Sequence, residues 1–404
     1  MEWVAKFLVK MPVLDLSNYT GREQAYVKHC LLEKYLAPLA YKVGSAWDSI
    51  VYLDGFAGPW EVKHPDLADS SFGIAIETLK RAQVGLREKN LNVRMKAILV
   101  EHDQQAFAKL QAYGAAQNTA DFDVHTLRGE FVEQIPEVQR ITRLKCQNPF
   151  RFVFLDPKGW AQIPMKELQP LLKDRSCEVL INLMTRHIIR FLDESNRAES
   201  YQSLFGRAGV LEKLREAQKG GDERAEQAVR EYCRSLKELC CFKYVSSAVI
   251  LEPDQESVRY FLVYGTNDFH GVEVFKQAEI TAARIQDAVR HEVRVQKTRQ
   301  EEMMFESAPP KSRVVQKLRD RYIALGRSMV LRTLKDQKSG FTINYEELFC
   351  LAMSFPLVTP DDLIGWLAGW EPHLKLQLAG ATRRKKPSPD QEDVVVVVNR
   401  EMLQ

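Results

Sequence analysis

The chain carries few of the short signatures by which enzyme chemistry usually announces itself. Its seven cysteines, Cys30, Cys146, Cys177, Cys233, Cys240, Cys241 and Cys350, form no C-x-x-C pair. That argues against a zinc site or a disulfide framework and for reduced thiols. There is no H-E-x-x-H, no Walker loop and no Ser-His-Asp order, so metalloprotease, P-loop and triad-hydrolase readings have nothing to rest on. No apolar run is long enough to span a membrane. The N-terminal stretch MEWVAKFLVKMPVLDLSNYT lacks the apolar core and small-residue cleavage site of a signal peptide. A cytoplasmic protein with no membrane partner is the expectation. A net charge of +3 is too small to name a partner, and 45% hydrophobic with 27% charged residues is ordinary soluble composition. At 404 residues there is room for two or three domains.

What is present is an alternation of short apolar runs with helical patterns. The first run, Ile50-Val51-Tyr52-Leu53, ends in Asp54 and is followed by Gly55, Phe56, Ala57 and Gly58. Small residues there let a backbone turn sharply and approach a ligand, although a tight turn between strand and helix needs them with no ligand at all. Helices are expected at 21–44, where Lys28 and Lys34 fall on the polar side, at 72–87 behind the caps Ser70 and Ser71, and at 104–113, 131–144 and 164–173. Strands are expected at 94–100, 123–127, 150–155 and 177–183. Five strands alternating with helices predict a parallel sheet covered on both faces, with ligands beyond the carboxyl ends of the strands. Four consecutive strands end in or just before an acid: Asp54, Glu101, Glu130 and Asp156. That regularity is the strongest functional signal in the sequence.

Residues 186–240 read as a charged helical insertion. Two further strands, 243–251 and 258–264, would complete a seven-stranded sheet with an antiparallel edge, and a long helix then runs to about Phe305. Ala308-Pro309-Pro310-Lys311 reads as a linker. Beyond it come helical segments at 313–324, 328–336, 344–353 and 360–369, a strand at 374–378, a basic loop with Arg383, Arg384, Lys385 and Lys386, and a closing strand at 394–398. That is the layout of a winged helix-turn-helix, with 360–369 as the recognition-type helix. From Lys311 onward there are 15 Lys and Arg against 11 Asp and Glu. A basic wing is an electrostatic footprint for phosphate backbones; a solvated loop on a protein-interaction domain stays open as the plainer reading.

The acids suit an adenosyl cofactor. Glu101 is placed as the acceptor for ribose hydroxyls, Glu130 as an acceptor for a purine amine, and Phe131 as packing for its ring. Asp54 to Gly58 would lie against the cofactor's centre. The turn is G-F-A-G rather than G-x-G-x-x-G, and Glu101 lies farther on than in a plain dinucleotide fold. Both departures disfavour NAD and favour S-adenosylmethionine. Asp156-Pro157 follows the fourth strand, where methyltransferases acting on exocyclic amines carry an Asp/Asn-Pro-Pro-aromatic turn that orients the target nitrogen. Here the turn is D-P-K-G-W. Trp160 is a candidate to stack on a base, and a gap-filling side chain otherwise. His102 and His270 are weaker acid-base candidates.

With VYLDGFAGPW, ILVEHD, RGEF, FVFLDPKGW and NDFHGVEVFK in view, the chain resembles the three-Cys-motif partner (TcmP) family over most of residues 20–305. The C-terminal part is similar to the winged-helix domain attached there. The resemblance implies a Rossmann-like, seven-stranded class I methyltransferase domain over 1–306 and a winged helix-turn-helix domain over 311–404. It implies S-adenosyl-L-methionine as cofactor, with Asp54 to Gly58 as the cofactor loop, Glu101 as the ribose acid (beside His102) and Asp156-Pro157 as the fourth-strand motif. Members are typically encoded beside a radical-enzyme-like protein bearing three cysteines, which is therefore an expected partner along with nucleic acid. Lys158 departs from the family's usual Phe. The expected activity is methylation of a nucleobase amine, against two alternatives: a non-catalytic adaptor that keeps the fold, and methylation of a protein.

Overall fold

Strands that are apolar on both faces must be covered on both faces, and this is how the chain folds. The computed structural model describes all residues except 1–13, 60–61, 147, 195–196, 218–220, 302–312, 337–339, 381–385, 400–401 and 404. After a short 3-10 turn at Leu16–Tyr19, helix α1 (Glu23–Gly44) leads to β1 (Ser49–Asp54). Then follow α2 (Ser71–Arg87), β2 (Arg94–Glu101), α3 (Gln104–Gln117), β3 (Phe122–Arg128), α4 (Phe131–Arg143), β4 (Phe150–Leu155), α5 (Met165–Leu172) and β5 (Cys177–Leu183). Every residue of β1, β4 and β5 is buried. Local sequence sets the helix starts. Ser70 Oγ accepts from Gly73 N at 3.0 Å and Asp103 Oδ1 from Ala106 N at 2.8 Å, each satisfying a donor that the first turn leaves unpaired.

The insertion comprises four helices, α6 (Thr185–Arg190), α7 (Ala198–Phe205), α8 (Val210–Glu216) and α9 (Gly221–Cys240). Strands β6 (Tyr244–Leu251) and β7 (Val258–Thr266) and the long α10 (Phe269–Glu301) complete the first unit. The sheet order is β3-β2-β1-β4-β5-β7-β6. β1 to β5 pair in parallel, and β7 runs antiparallel to both β5 and β6. This is the Rossmann-like seven-stranded sheet with an antiparallel edge that the sequence pattern predicts, with strand order reversing between β1 and β4. One apolar layer lies between the sheet and α1, α2 and α10. The other lies under α4, α5 and the inserted helices.

The C-terminal unit differs from the sequence expectation in two places. Residues 313–324 and 328–336 were expected as separate helices, yet a single helix α11 spans Val314–Lys335. Gly326, which lies between the two expected segments, is buried mid-helix. A Cβ there would sit 3.1 Å from the Trp366 ring, so the glycine permits close packing rather than a turn. A three-residue strand, β8 (Thr342–Asn344), is the other addition. It precedes α12 (Tyr345–Met353), α13 (Pro360–Gly369), β9 (Leu374–Gln377) and β10 (Val394–Val397), and the three strands form an antiparallel sheet ordered β8-β10-β9. At three residues, β8 is too short for an alternation pattern to be read.

This unit is fastened to the first by buried polar contacts. Lys276 and Glu279 on α10 pair at 3.0 Å, both nearly inaccessible. Lys276 Nζ donates to Phe355 O at 2.7 Å, and Glu279 Oε1 accepts from Leu357 N at 2.8 Å. Ser246 Oγ donates to Met353 O at 2.6 Å. All seven cysteines are free. Among the described residues no helix is long and apolar enough to cross a membrane, and no cluster of His, Cys, Asp or Glu is arranged to hold a metal.

Candidate active site

The carboxyl ends of β1, β2 and β4 meet where the strand order reverses, and the glycine turn is stitched across that point. Gly55 N donates to Phe154 O of β4 at 3.1 Å and Ala57 N to Val100 O of β2 at 2.8 Å. A Cβ on Gly55 would come within 2.7 Å of Leu155 Cδ2 and 3.0 Å of Phe131 Cδ2, so only glycine fits. Asp54 is fully buried, and all its visible bonding is internal. Oδ1 accepts from Phe56 N at 3.0 Å, and Oδ2 accepts from Ser71 Oγ at 2.7 Å and Tyr52 OH at 3.1 Å. Burial pushes its carboxyl up to about 6 against these bonds, which favour the anion. Asp54 therefore shapes the turn from beneath.

At the end of β2, Glu101 is 3% exposed. Its Oε1 accepts from Asp103 N at 2.7 Å, and His102 Nδ1 lies 3.2 Å away. Among the described residues, none donates a hydrogen bond to its Oε2. Gly129 N donates to Glu101 O at 3.1 Å, joining the β3 turn to this edge. Glu130 is exposed at the cap of α4. Phe131 is buried, its ring 5.6 Å from that of Phe56.

A cleft of about 360 Å³ opens between the glycine turn, the end of β4 and the start of α1. Phe56, Gly58, Asp156, Pro157 and Lys158 line it. Asp156 is held by two partners that sequence spacing does not connect to it. Asn182, at the end of β5, donates from Nδ2 to Oδ1 at 2.6 Å, and Lys28 of α1 forms an ion pair with Oδ2. Lys28 was expected on the polar side of its helix. It is 7% exposed instead, because α1 is covered around most of its circumference, and it lies 5.8 Å over the Tyr260 ring. Next to it, Arg22 pairs with Asp69, whose carboxylate also takes the N–H groups of Lys63 and His64 and so pins the loop after the glycine turn. His29 is buried with Nδ1 3.0 Å from Tyr19 OH. Burial, then the charges of Lys28 and Arg22, hold its pKa well below the usual imidazole value.

Several expected residues lie elsewhere. Trp160 is 6% exposed and packs against Tyr201 at 5.0 Å, away from the cleft lining. A ring so enclosed has no face for a base, and the gap-filling role fits what is seen. His270 is exposed at the start of α10, 3.1 Å from Glu273. Trp60, Arg383, Arg384 and Lys385 lie outside the described residues. Lys386 is exposed and pairs with Asp361 at 3.0 Å. Conversely, Lys28, Asn182, Arg22 and Tyr260 were not anticipated. The only available signal was cationic residues in an otherwise apolar helix.

No protein-family model matches the chain, and no curated protein matches it. Among solved structures, it is similar to the O-methyltransferase TomG from Streptomyces achromogenes, involved in tomaymycin synthesis and solved with SAM. Identity is 14%, over 58% of this chain and 79% of that one, with a TM-score of 0.30. A protein from Thermobifida fusca YX named as a methyltransferase gives 12% identity over 66% and 86%, with a TM-score of 0.33. Another, from Porphyromonas gingivalis W83, gives 13% identity, with 57% of this chain against 41% of that one and a TM-score of 0.26. These likenesses are faint, and the function proposed below rests on the chain's own geometry.

Proposed function

We propose that the chain is an S-adenosylmethionine-dependent methyltransferase acting on an exocyclic amine of a nucleobase. One observation carries this: a close-packed glycine turn, a buried acid with an oxygen that no described residue occupies and the Asp156-Pro157 turn converge at the switch point of the sheet, where such folds bind ligands. The residues present fit the cofactor. Glu101 Oε2 is a ready acceptor for ribose hydroxyls, Glu130 stands at the neighbouring strand end for the adenine amine, and Phe56, backed by the buried Phe131, offers apolar contact. When bound, that cofactor supplies an electrophilic methyl group. Asp156 would accept an N–H of the target, turning the nitrogen lone pair toward that methyl, so catalysis is mainly positioning. Asp54 contributes by fixing the turn.

The order of elements from α11 to β10 supports a winged-helix reading of the C-terminal unit, and its basic loop supports nucleic acid as the bound polymer. Likeness in motifs supports kinship with the three-Cys-motif partner family and a partner protein of that kind. A non-catalytic adaptor is favoured by one observation, the Lys28 ammonium already seated on Asp156. Transfer of labelled methyl groups to total tRNA, rRNA and DNA separates the two. Wild type is expected to label one pool and Asp156→Ala none; cofactor binding without transfer to any pool would favour the adaptor.

A further inference from the structure

The cleft contains a contradiction that a particular kind of substrate would resolve. If Asp156 is the seat for a target amine, its Oδ2 is already taken by an ammonium. Lys28 also works against the reaction electrostatically, since positive charge develops on a nitrogen as it is methylated and a fixed cation beside it opposes that charge. Two further groups nearby are incomplete. Asn182, 1% exposed, donates to Asp156, and among the described residues its buried Oδ1 has no partner. Arg22, 7% exposed, spends one end on Asp69 and Asn18 O, and among the described residues its buried Nε–H has no acceptor. Buried polar groups are rarely left unpaired. Here the residue with the missing donor and the residue with the missing acceptor both line the cleft that holds Lys28.

Arg22, Lys28, Lys158 and Arg259 are among the side chains that line the cleft; Arg22 pairs with Asp69, Lys28 with Asp156 and Arg259 with Glu252 at 3.0 Å. A neutral amine has nothing with which to draw Lys28 away. A target carrying a phosphate does.

We propose that Lys28 is a displaceable occupant of the amine seat, and that the substrate class is a phosphate-bearing nucleotide. The phosphate takes Lys28 and the unpaired Nε–H of Arg22, and the released Asp156 Oδ2 together with Asn182 Oδ1 accepts the two N–H bonds of the base amine. Lys28 then acts as a specificity-determining residue: the acceptor is exposed only when an anion of the right reach is present. This rests on the methyltransferase reading of Asp156 and adds to it the phosphate requirement and its sensor.

The test is calorimetry on the full chain loaded with S-adenosylhomocysteine. The titrants are the four nucleoside 5′-monophosphates, the four matching nucleosides and inorganic phosphate at constant ionic strength. Wild type is expected to bind at least one monophosphate about tenfold or more tightly than its nucleoside. Lys28→Met is expected to shrink that ratio to about twofold while improving nucleoside binding, and Lys28→Arg to restore it. Asp156→Asn, which releases Lys28 from its carboxylate, is expected to tighten monophosphate binding several-fold. That opposite sign is one that mere loss of packing would not produce, and it keeps the question decidable should Lys28→Met fold poorly. Equal binding of nucleosides and monophosphates by wild type would overturn the proposal. So would a preference unchanged in Lys28→Met, or inorganic phosphate binding as tightly as the best monophosphate. Failure of S-adenosylhomocysteine itself to bind would overturn the cofactor reading and the proposal with it, whereas its binding with no phosphate preference would sink the proposal alone.

Discussion

The end of the parallel sheet and the exposed side of the C-terminal unit treat charge in opposite ways. At the sheet end, acids and bases are buried or half-buried, each held by named partners: Asp54 by three donors, Asp156 by Lys28 and Asn182, Asp69 by Arg22 and two backbone amides. On the exposed side of the C-terminal unit the charges are largely solvated, although Asp393 is buried within it. Helix α13, expected as the recognition-type helix, bears no Lys or Arg, and its first turn carries Asp361 and Asp362. Asp362 caps the helix and pairs with Arg319 at 3.1 Å, and Asp361 pairs with Lys386. Charge in a buried cleft is worth far more per contact than charge on a solvated face. On the proposed function, specificity would then lie at the sheet end, and the C-terminal unit would serve to hold the nucleic acid.

Five substitutions would sharpen or break this contrast. The largest effect on stability is expected from Glu279→Ala, which strands Lys276 in the interior between the two units. Urea denaturation should show a loss of about 3–5 kcal/mol. A loss below about 1 kcal/mol would mean that the units are not fastened there. Asp156→Ala should lower methyl transfer about a hundredfold or more while changing the affinity for S-adenosylhomocysteine less than about twofold. A parallel loss of both would move Asp156 from target to cofactor.

Asp54 gives a pH signature. Its folded pKa of about 6 lies above the unfolded value of 3.8 because of burial. The folded state therefore holds this proton more tightly, and the associated stability is complete below about pH 4 and is lost as pH rises through about 6. Asp54→Asn should remove that slope, so wild type loses about 2 kcal/mol more than the variant between pH 4 and pH 7. Glu178, pushed up to about 7 by burial, acts in the same direction in both proteins and cancels from the difference. Parallel stability profiles would contradict the buried-acid account. Gly55→Ala should cost about 1–3 kcal/mol through the clash with Leu155 and Phe131, and near-neutral behaviour would show that the turn is slack. Lys386→Ala should change stability by less than about 0.5 kcal/mol, since its pair with Asp361 is exposed. It should weaken nucleic-acid retention in a gel assay only slightly unless Arg383, Arg384 and Lys385 are removed as well.

What the sequence revealed and what it concealed follow one physical division. Strands buried on both faces are continuous apolar runs, so β1, β4 and β5 were legible to within a residue, and the acids that end β1 and β2 came with them. Side chains that meet only through tertiary packing were not legible. Lys28 and Asp156 are 128 residues apart, and nothing in the pattern of α1 shows that its polar side is covered. The continuity of α11 through Gly326 was not legible either, because a packing glycine and a breaking glycine look alike in sequence. Trp160 drew attention through its position after Asp156-Pro157, but a large aromatic two residues beyond a turn packs inward as readily as outward.

The central claim is that the glycine turn and Glu101 form an adenosyl pocket. Titration calorimetry of S-adenosylhomocysteine into wild type and Glu101→Ala tests it most directly. Micromolar one-to-one binding by wild type, weakened about a hundredfold or more in a variant that keeps its melting temperature within a few degrees, is the predicted result. No heat of binding to well-folded wild type, or equal affinity in the two proteins, would contradict it.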